Sequence, residues 1–290
     1  MNETVTLGFS QYVMNHPYRL AHVESIKAAG RRMGCRIIVT DAHGDSDQES
    51  ANIQYLLSRG VDGLIVSSAS GRSIYKDYVK VAERRIPLVI FATGLPLEDS
   101  VPFSSFVGCD EQWMGAEAAQ YLGHRLNGRG DIYVLRGPRE STNSIRRGRG
   151  FMARLSKAFP HIDVVETTTC DWLRESANVE TRKILVHHQV DAIFAENDEM
   201  ALGAVDGLRQ GSSSKHAFVV GIDGQHEALR QIWQRGSLVM TVRHEWDGSE
   251  AVRVVLAAIR GESVPRLVEL NAVVIDASNV EQYLRDGAPW

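Results

Sequence analysis

Residues 191–204 read Asp191-Ala-Ile-Phe-Ala-Glu-Asn-Asp-Glu-Met-Ala-Leu-Gly-Ala204, and this stretch decides the fold. Its first half, Asp191–Ala195, is an apolar run of β type. From Met200 onward the apolar residues Met200, Leu202, Val205 and Leu208 follow helical spacing. A strand therefore ends near Glu196 and a helix starts near Asp198. Asn197 then stands at the carboxyl end of a strand, where open α/β sheets bind ligands. Asp198 is placed to cap the helix and to complement its positive end.

The same alternation extends in both directions. Upstream, strand runs at Thr4–Phe9, Arg36–Asp41, Gly63–Val66, Ile86–Phe91 and Ser105–Gly108 are separated by helical patterns. The first of these helices opens at Pro17, a favoured first position for proline. From Glu111 the alternation restarts: helix Glu111–Leu126, strand Asp131–Leu135, helix Ile145–Phe159, strand Asp163–Thr168, helix Glu175–His187. Beyond the opening stretch come strand Phe218–Ile222, helix Gln225–Arg235, strand Met240–Val242 and helix Trp246–Arg260. The extended Leu267–Ile275 and a short helix close the chain. Strands alternating with helices imply parallel sheets covered on both faces.

One unit occurs twice. Val61–Val66 (VDGLIV) echoes Val190–Ala195 (VDAIFA), and Ile86–Phe91 echoes Phe218–Ile222 at the corresponding place in each half. The predicted fold class is α/β, with two similar doubly wound parallel-sheet lobes and a three-segment hinge. Crossings are expected near Cys109, His244 and Leu270. They divide the chain into residues 1–109 plus 245–270 and residues 110–244 plus 271–290, with a ligand cleft between the lobes.

Composition narrows the function. With 290 residues, 43% of them hydrophobic, the chain can build two proper cores. The net charge is −4 and the basic residues form no stripe, which argues against direct nucleic-acid binding. No apolar run approaches the roughly 20 residues of a membrane span. The chain runs from Met1-Asn-Glu-Thr4 straight into a strand without a signal-peptide pattern, as a cytoplasmic protein or one starting at a mature N-terminus would. Cys35, Cys109 and Cys170 are odd in number and far apart, a pattern of buried thiols, with neither a metal site nor a disulfide framework.

Four motifs carry a resemblance over nearly the whole chain. They are Asn15-His16-Pro17-Tyr18-Arg19, Arg147-Gly148-Arg149-Gly150-Phe151, the Asn197 turn, and Val219–Gly224 followed by Gly236-Ser-Leu238 and Thr241. In this order they resemble the type I periplasmic binding proteins, in particular the ribose-binding branch. The resemblance implies ligand-binding roles for Arg147, Asn197 and Asp223, and aromatic walls at Tyr18 and Trp172. The chemistry suits a sugar: a carboxylate accepts from two hydroxyls, a guanidinium donates in a planar fork, and rings pack on C–H faces. Three places depart from the family. Its aspartate-arginine pair after strand Leu88–Phe91 is here Ala92-Thr93. Its hinge glutamine is His244. The second asparagine and second aromatic of its first loop are His16 and Arg19. His16, Arg19, Thr93 and His244 are therefore further candidate contacts; the alternative for Arg19 is a pairing with an acid of the opposite lobe on closure.

The resemblance implies a monomeric, periplasmic solute receptor of an ABC transporter. It would capture a sugar, polyol or sugar derivative by hinge closure and dock on a membrane permease, with no metal or organic cofactor. The alternative is the effector-binding core of a lactose-repressor-type regulator. Enzyme motifs are missing: there is no G-x-S-x-G, no H-E-x-x-H and no phosphate loop. The extra His and Arg point to a polyol or an acidic sugar. Asp223 would repel a carboxylate placed beside it, which favours a neutral ligand.

Overall fold

The structure, a computed structural model, describes residues 4–15, 17–69, 71–211 and 216–285. The candidate His16 lies outside the described residues. The first sheet is built from β1 (Thr6–Gln11), β2 (Arg36–Asp41), β3 (Gly63–Ser67), β4 (Leu88–Phe91) and β5 (Ser105–Gly108). Helices α1 (Pro17–Met33), α2 (Ser46–Ser58) and α3 (Tyr75–Glu83) connect the first four strands. The second sheet follows α4 (Glu111–Arg125). It holds β6 (Arg129–Arg136), β7 (His161–Thr169), β8 (Ala192–Ala195), β9 (Phe218–Asp223) and β10 (Leu238–His244). Its connecting helices are α5 (Thr142–Ala158), α6 (Arg174–His187), α7 (Asp198–Gln210) and α8 (His226–Trp233).

After β10 the chain returns to the first lobe as α9 (Ser249–Ile259), whose apolar face packs beside α1 and over β3 and β4. The segment expected to be one extended run is two strands in two sheets. β11 (Leu267–Glu269) pairs parallel with β5, and β12 (Ala272–Asp276) pairs antiparallel with β10. Helix α10 (Val280–Arg285) ends the described chain.

The strand orders are β11-β5-β4-β3-β1-β2 and β12-β10-β9-β8-β6-β7. The echoed segments thus occupy equivalent places, β3 with β8 and β4 with β9. Each sheet is sandwiched between two apolar clusters, as expected for strands buried on both faces. Leu7, Ile65 and Phe91 belong to one core; Ile132, Phe194 and Val220 belong to the corresponding core of the other lobe.

The chain passes between the lobes at three adjacent places tied to one another. Leu270 N donates to Gly108 O at 2.9 Å, Glu245 N to Asn271 O at 3.0 Å, and the Cys109 thiol to Asn271 O at 3.4 Å. Burial holds the Cys109 pKa up at about 12, so it remains a thiol.

Helix α5 starts at Thr142, one turn before the expected Ile145. Ser141 is its cap, accepting from Ser144 N, and a serine cap leaves little apolar signal in the sequence. The helix is seated against α4 by close backbone contact. A Cβ on Gly150 would lie 1.8 Å from Gln112 O, and one on Gly115 would lie 2.0 Å from Arg147 O. Only glycine fits at this crossing, and the crossing fixes the height of Arg147.

Candidate ligand-binding site

A cleft of about 470 Å³ opens between the carboxyl ends of the two sheets. From the first lobe come Tyr12, Tyr18, Arg19 and Thr93; from the second come Asn143, Arg147, Trp172, Asn197 and Asp223. Seven of the nine sequence candidates are therefore brought to one cavity. Contacts span its edge: Asn143 Nδ2 donates to Ala92 O at 3.3 Å, and Arg146 Nη2 to Pro96 O at 3.1 Å.

The floor of the second lobe is a charged network. Arg147 is only 4% exposed. Its Nε donates to Glu111 Oε2 and its Nη1 to Glu196 O, both at 2.5 Å, and Nη1 reaches Asp223 Oδ1 at 3.4 Å. Glu111 and Asp223 hold the guanidinium charged against the opposing effect of burial. Asn143 Nδ2 donates to the second oxygen of Glu111 at 2.7 Å. Glu111 and Asn143 were not among the sequence candidates. Asn143 lies four residues before Arg147, on the same face of α5, and that spacing alone places the two side by side.

His244 stands at the expected crossing, but its side chain is not among those that line the cleft. It sits buried behind the cleft, joining the lobes. Nε2 is 3.2 Å from Asp223 Oδ1 and Nδ1 is 3.2 Å from the Tyr18 hydroxyl. An ionised carboxylate only accepts, so Nε2 carries the hydrogen in the neutral ring and Nδ1 accepts from Tyr18. The Tyr18 ring meets His244 edge-on at 4.9 Å.

Arg19 lines the cleft, and the alternative of an acid partner across it is not what the structure shows: its hydrogen-bond partners among the described residues all come from its own lobe and none is an acid. Nη1 donates to Gln11 Oε1 (2.7 Å), Ser67 O (3.1 Å), Ser67 Oγ (3.0 Å) and Thr93 Oγ1 (3.1 Å). Three strand ends thus converge on one nitrogen. Burial lowers the Arg19 pKa from its ordinary value.

Trp172 is held by its backbone and by its ring. Asp171 and Trp172 have φ of 53° and 67°, unusual for non-glycine residues. The indole lies where a Cβ on Gly137 would be, 2.2 Å from such an atom, with the Arg147 guanidinium carbon 5.7 Å from its ring centre. Ala92 (φ 60°) and Asp223 (φ 138°) are strained as well. Such residues cost about 1–3 kcal/mol each and gather where ligands bind.

The expected capping role of Asp198 is corrected. Asn197 Oδ1 caps α7, accepting from Met200 N at 2.9 Å. Asp198 instead turns inward, accepting from Gln225 N at 2.8 Å and from Thr241 Oγ1 at 2.8 and 3.0 Å. Gly221 makes room for it, since a Cβ there would lie 2.3 Å from Asp198 Oδ1. Burial first, and then the charge of Asp223, raise the Asp198 pKa to about 7.

A raised acid favours the folded state at low pH. The folded chain keeps a proton that the unfolded chain releases above about pH 4, so this stabilisation is lost as pH rises through about 7. Asp198→Asn keeps an acceptor for Gln225 N and a donor for Thr241. Urea unfolding at pH 5 and pH 7.5 should show wild type losing more stability than the variant over that interval. Equal losses would place the charge elsewhere.

With this geometry in hand, the profile of the periplasmic binding protein domain matches residues 7–263. The chain belongs to the periplasmic binding protein family. This periplasmic binding protein is 26% identical over 267 residues to a xylitol-binding protein of Mycolicibacterium smegmatis, covering 91% of this chain and 74% of the relative. It is 25% identical to the ribose import binding protein of Bacillus subtilis, covering 91% and 84%. It superposes with a TM-score of 0.90 on an ABC transporter solute-binding protein of Bacillus halodurans with bound myo-inositol, at 25% identity over 98% of each chain.

Proposed function

We propose that this periplasmic binding protein is the solute receptor of an ABC importer, taking up a small sugar, polyol or sugar derivative in its inter-lobe cleft. The observation that carries this reading is the buried Asp223–Arg147 pair beside Trp172, at the carboxyl ends of strands from one lobe and facing polar groups of the other. Asp223 is an acceptor for hydroxyls, Arg147 and Asn197 supply polar contacts, and Trp172 offers an apolar face. Relatives named for xylitol and ribose support the same class of solute.

The chain is read as a binder, not a catalyst: the Cys109 thiol beside the hinge is held protonated by burial. Closure follows because a ligand touching both lobes favours the closed state over the open one. In this reading the protein works in the periplasm, passes its solute to a membrane permease and contacts no nucleic acid. A thermal-shift screen over sugars, polyols, sugar acids and amino sugars tests it. At a hundredfold excess over Kd a binder adds about 2.7 kcal/mol of apparent stability. If no solute in these classes raises the melting point, the reading fails. The receptor is expected to be a monomer at micromolar concentration by light scattering, because its lobes must move freely. An obligate dimer would count for a regulator of the same fold.

A further inference from the structure

The cleft holds two arginines whose charges are handled differently. Arg147 is paired with Glu111 and Asp223. Arg19 is 9% exposed and makes no ion pair among the described residues; every hydrogen bond it makes to them goes through Nη1 to a neutral oxygen. Four acceptors around one nitrogen saturate its two N–H groups. Nε and Nη2 carry the remaining three N–H groups and make no hydrogen bond to the described residues, while Arg19 itself lines the cleft.

Those two nitrogens form the side-on edge of the guanidinium, whose parallel donors match the two oxygens of a carboxylate. A hydroxyl would satisfy one donor and leave the buried charge without a counter-charge. A carboxylate would satisfy two donors and supply the counter-charge. The acids that act on Arg19, Glu49 and then Asp223, do so through the charge alone, without a hydrogen bond to it. Asp223 itself stands on the opposite lobe, so a carboxylate at Arg19 need not sit against it. The Arg147 guanidinium beside Asp223 offsets its charge, which weakens the repulsion that favoured a neutral ligand on the sequence alone.

We propose that Arg19 is a specificity-determining residue and that the solute is an acidic sugar derivative, an aldonate or uronate. Its carboxylate rests on the Nε–Nη2 edge of Arg19 and its hydroxyls face Asp223 and Asn197. The proposal rests on the solute-receptor reading above and sharpens it.

The test is calorimetry on the intact protein with matched pairs: gluconate against sorbitol, galacturonate against galactose, ribonate against ribitol. In at least one pair the acid should bind tenfold or more tighter than its neutral partner. Arg19→Gln should then cost that acid about thirtyfold or more, the effect of deleting one member of a buried charge-assisted contact, and cost the neutral partner at least tenfold less than it costs the acid. Arg19→Lys, which keeps the charge but loses the fork, should fall between. Melting curves of the unliganded variants show whether each is folded; the wild-type pairs alone decide the preference should a variant unfold. Neutral members binding as well as or better than acids would overturn the proposal and leave the sugar or polyol receptor standing. No binding by any member, in a protein that also fails the wider solute screen, would overturn both.

Discussion

Replacing Asp223 with alanine is expected to lower affinity for the solute found by screening by about thirtyfold to several thousandfold, the effect of removing one partner of a buried, charge-assisted contact. The carboxylate stands at the end of β9 with its Oδ1 between Arg147 Nη1 and His244 Nε2. Its position is fixed from two sides, and it offers the cleft an acceptor with little freedom left to lose on binding. The fold should survive the change, because Arg147 keeps Glu111 and the Glu196 carbonyl. Asp223→Asn, which retains one acceptor oxygen, is expected to cost less. The Asp198 pKa should move down in both variants, since the charge of Asp223 helps hold it up. Calorimetry showing Asp223→Ala within threefold of wild type would assign Asp223 to the scaffold and not to the ligand.

The second large effect is on stability. Arg147→Ala leaves buried Glu111 with Asn143 as its remaining side-chain partner among the described residues, at 2.7 Å, and removes a donor to the Glu196 carbonyl. Breaking a buried ion pair from one side costs about 3–5 kcal/mol. For a chain of this size that corresponds to a melting point lower by roughly 6 °C or more. Ligand affinity should fall as well, because Arg147 also lines the cleft. Arg147→Lys keeps a charge near Glu111 but loses the fork, and should recover part of the stability. A melting point of Arg147→Ala within 2 °C of wild type would show that the network carries little of the fold.

The parts of the molecule legible in its sequence are those set by local pattern. Alternating strands and helices, the repeated VDGLIV and VDAIFA runs and the residues just past strand ends all follow from periodicity and position. That is why Asn197 could be placed at a strand end; Thr93 and Asp223 were singled out through the resemblance to the family. What stayed hidden depends on side chains meeting from distant segments. Arg19 visibly replaces an aromatic, but its partners Gln11, Ser67 and Thr93 lie on three different strands. Asp198 looks like a helix-capping acid until Gly221, which leaves it space to turn inward, is brought beside it. His244 stands at the expected crossing, yet which way its ring faces is decided by Tyr18 and Asp223. Glu111 gives no signal of its own, because a first-turn glutamate is common at any helix start.

The distribution of the first sheet along the chain bears on how the protein is made. Five of its strands are complete by Gly108, but the sixth, Leu267–Glu269, arrives only after the whole second sheet except β12 has been synthesised. The helix that covers β3 and β4, α9, is also late. An emerging polypeptide therefore carries an unfinished amino-terminal half with part of its apolar surface uncovered until translation is nearly over. Its closing contacts span most of the sequence, the kind of topology that folds slowly. Lobe-by-lobe maturation on the ribosome is thus cut short, and acquisition of the native state waits for the last segments of the chain.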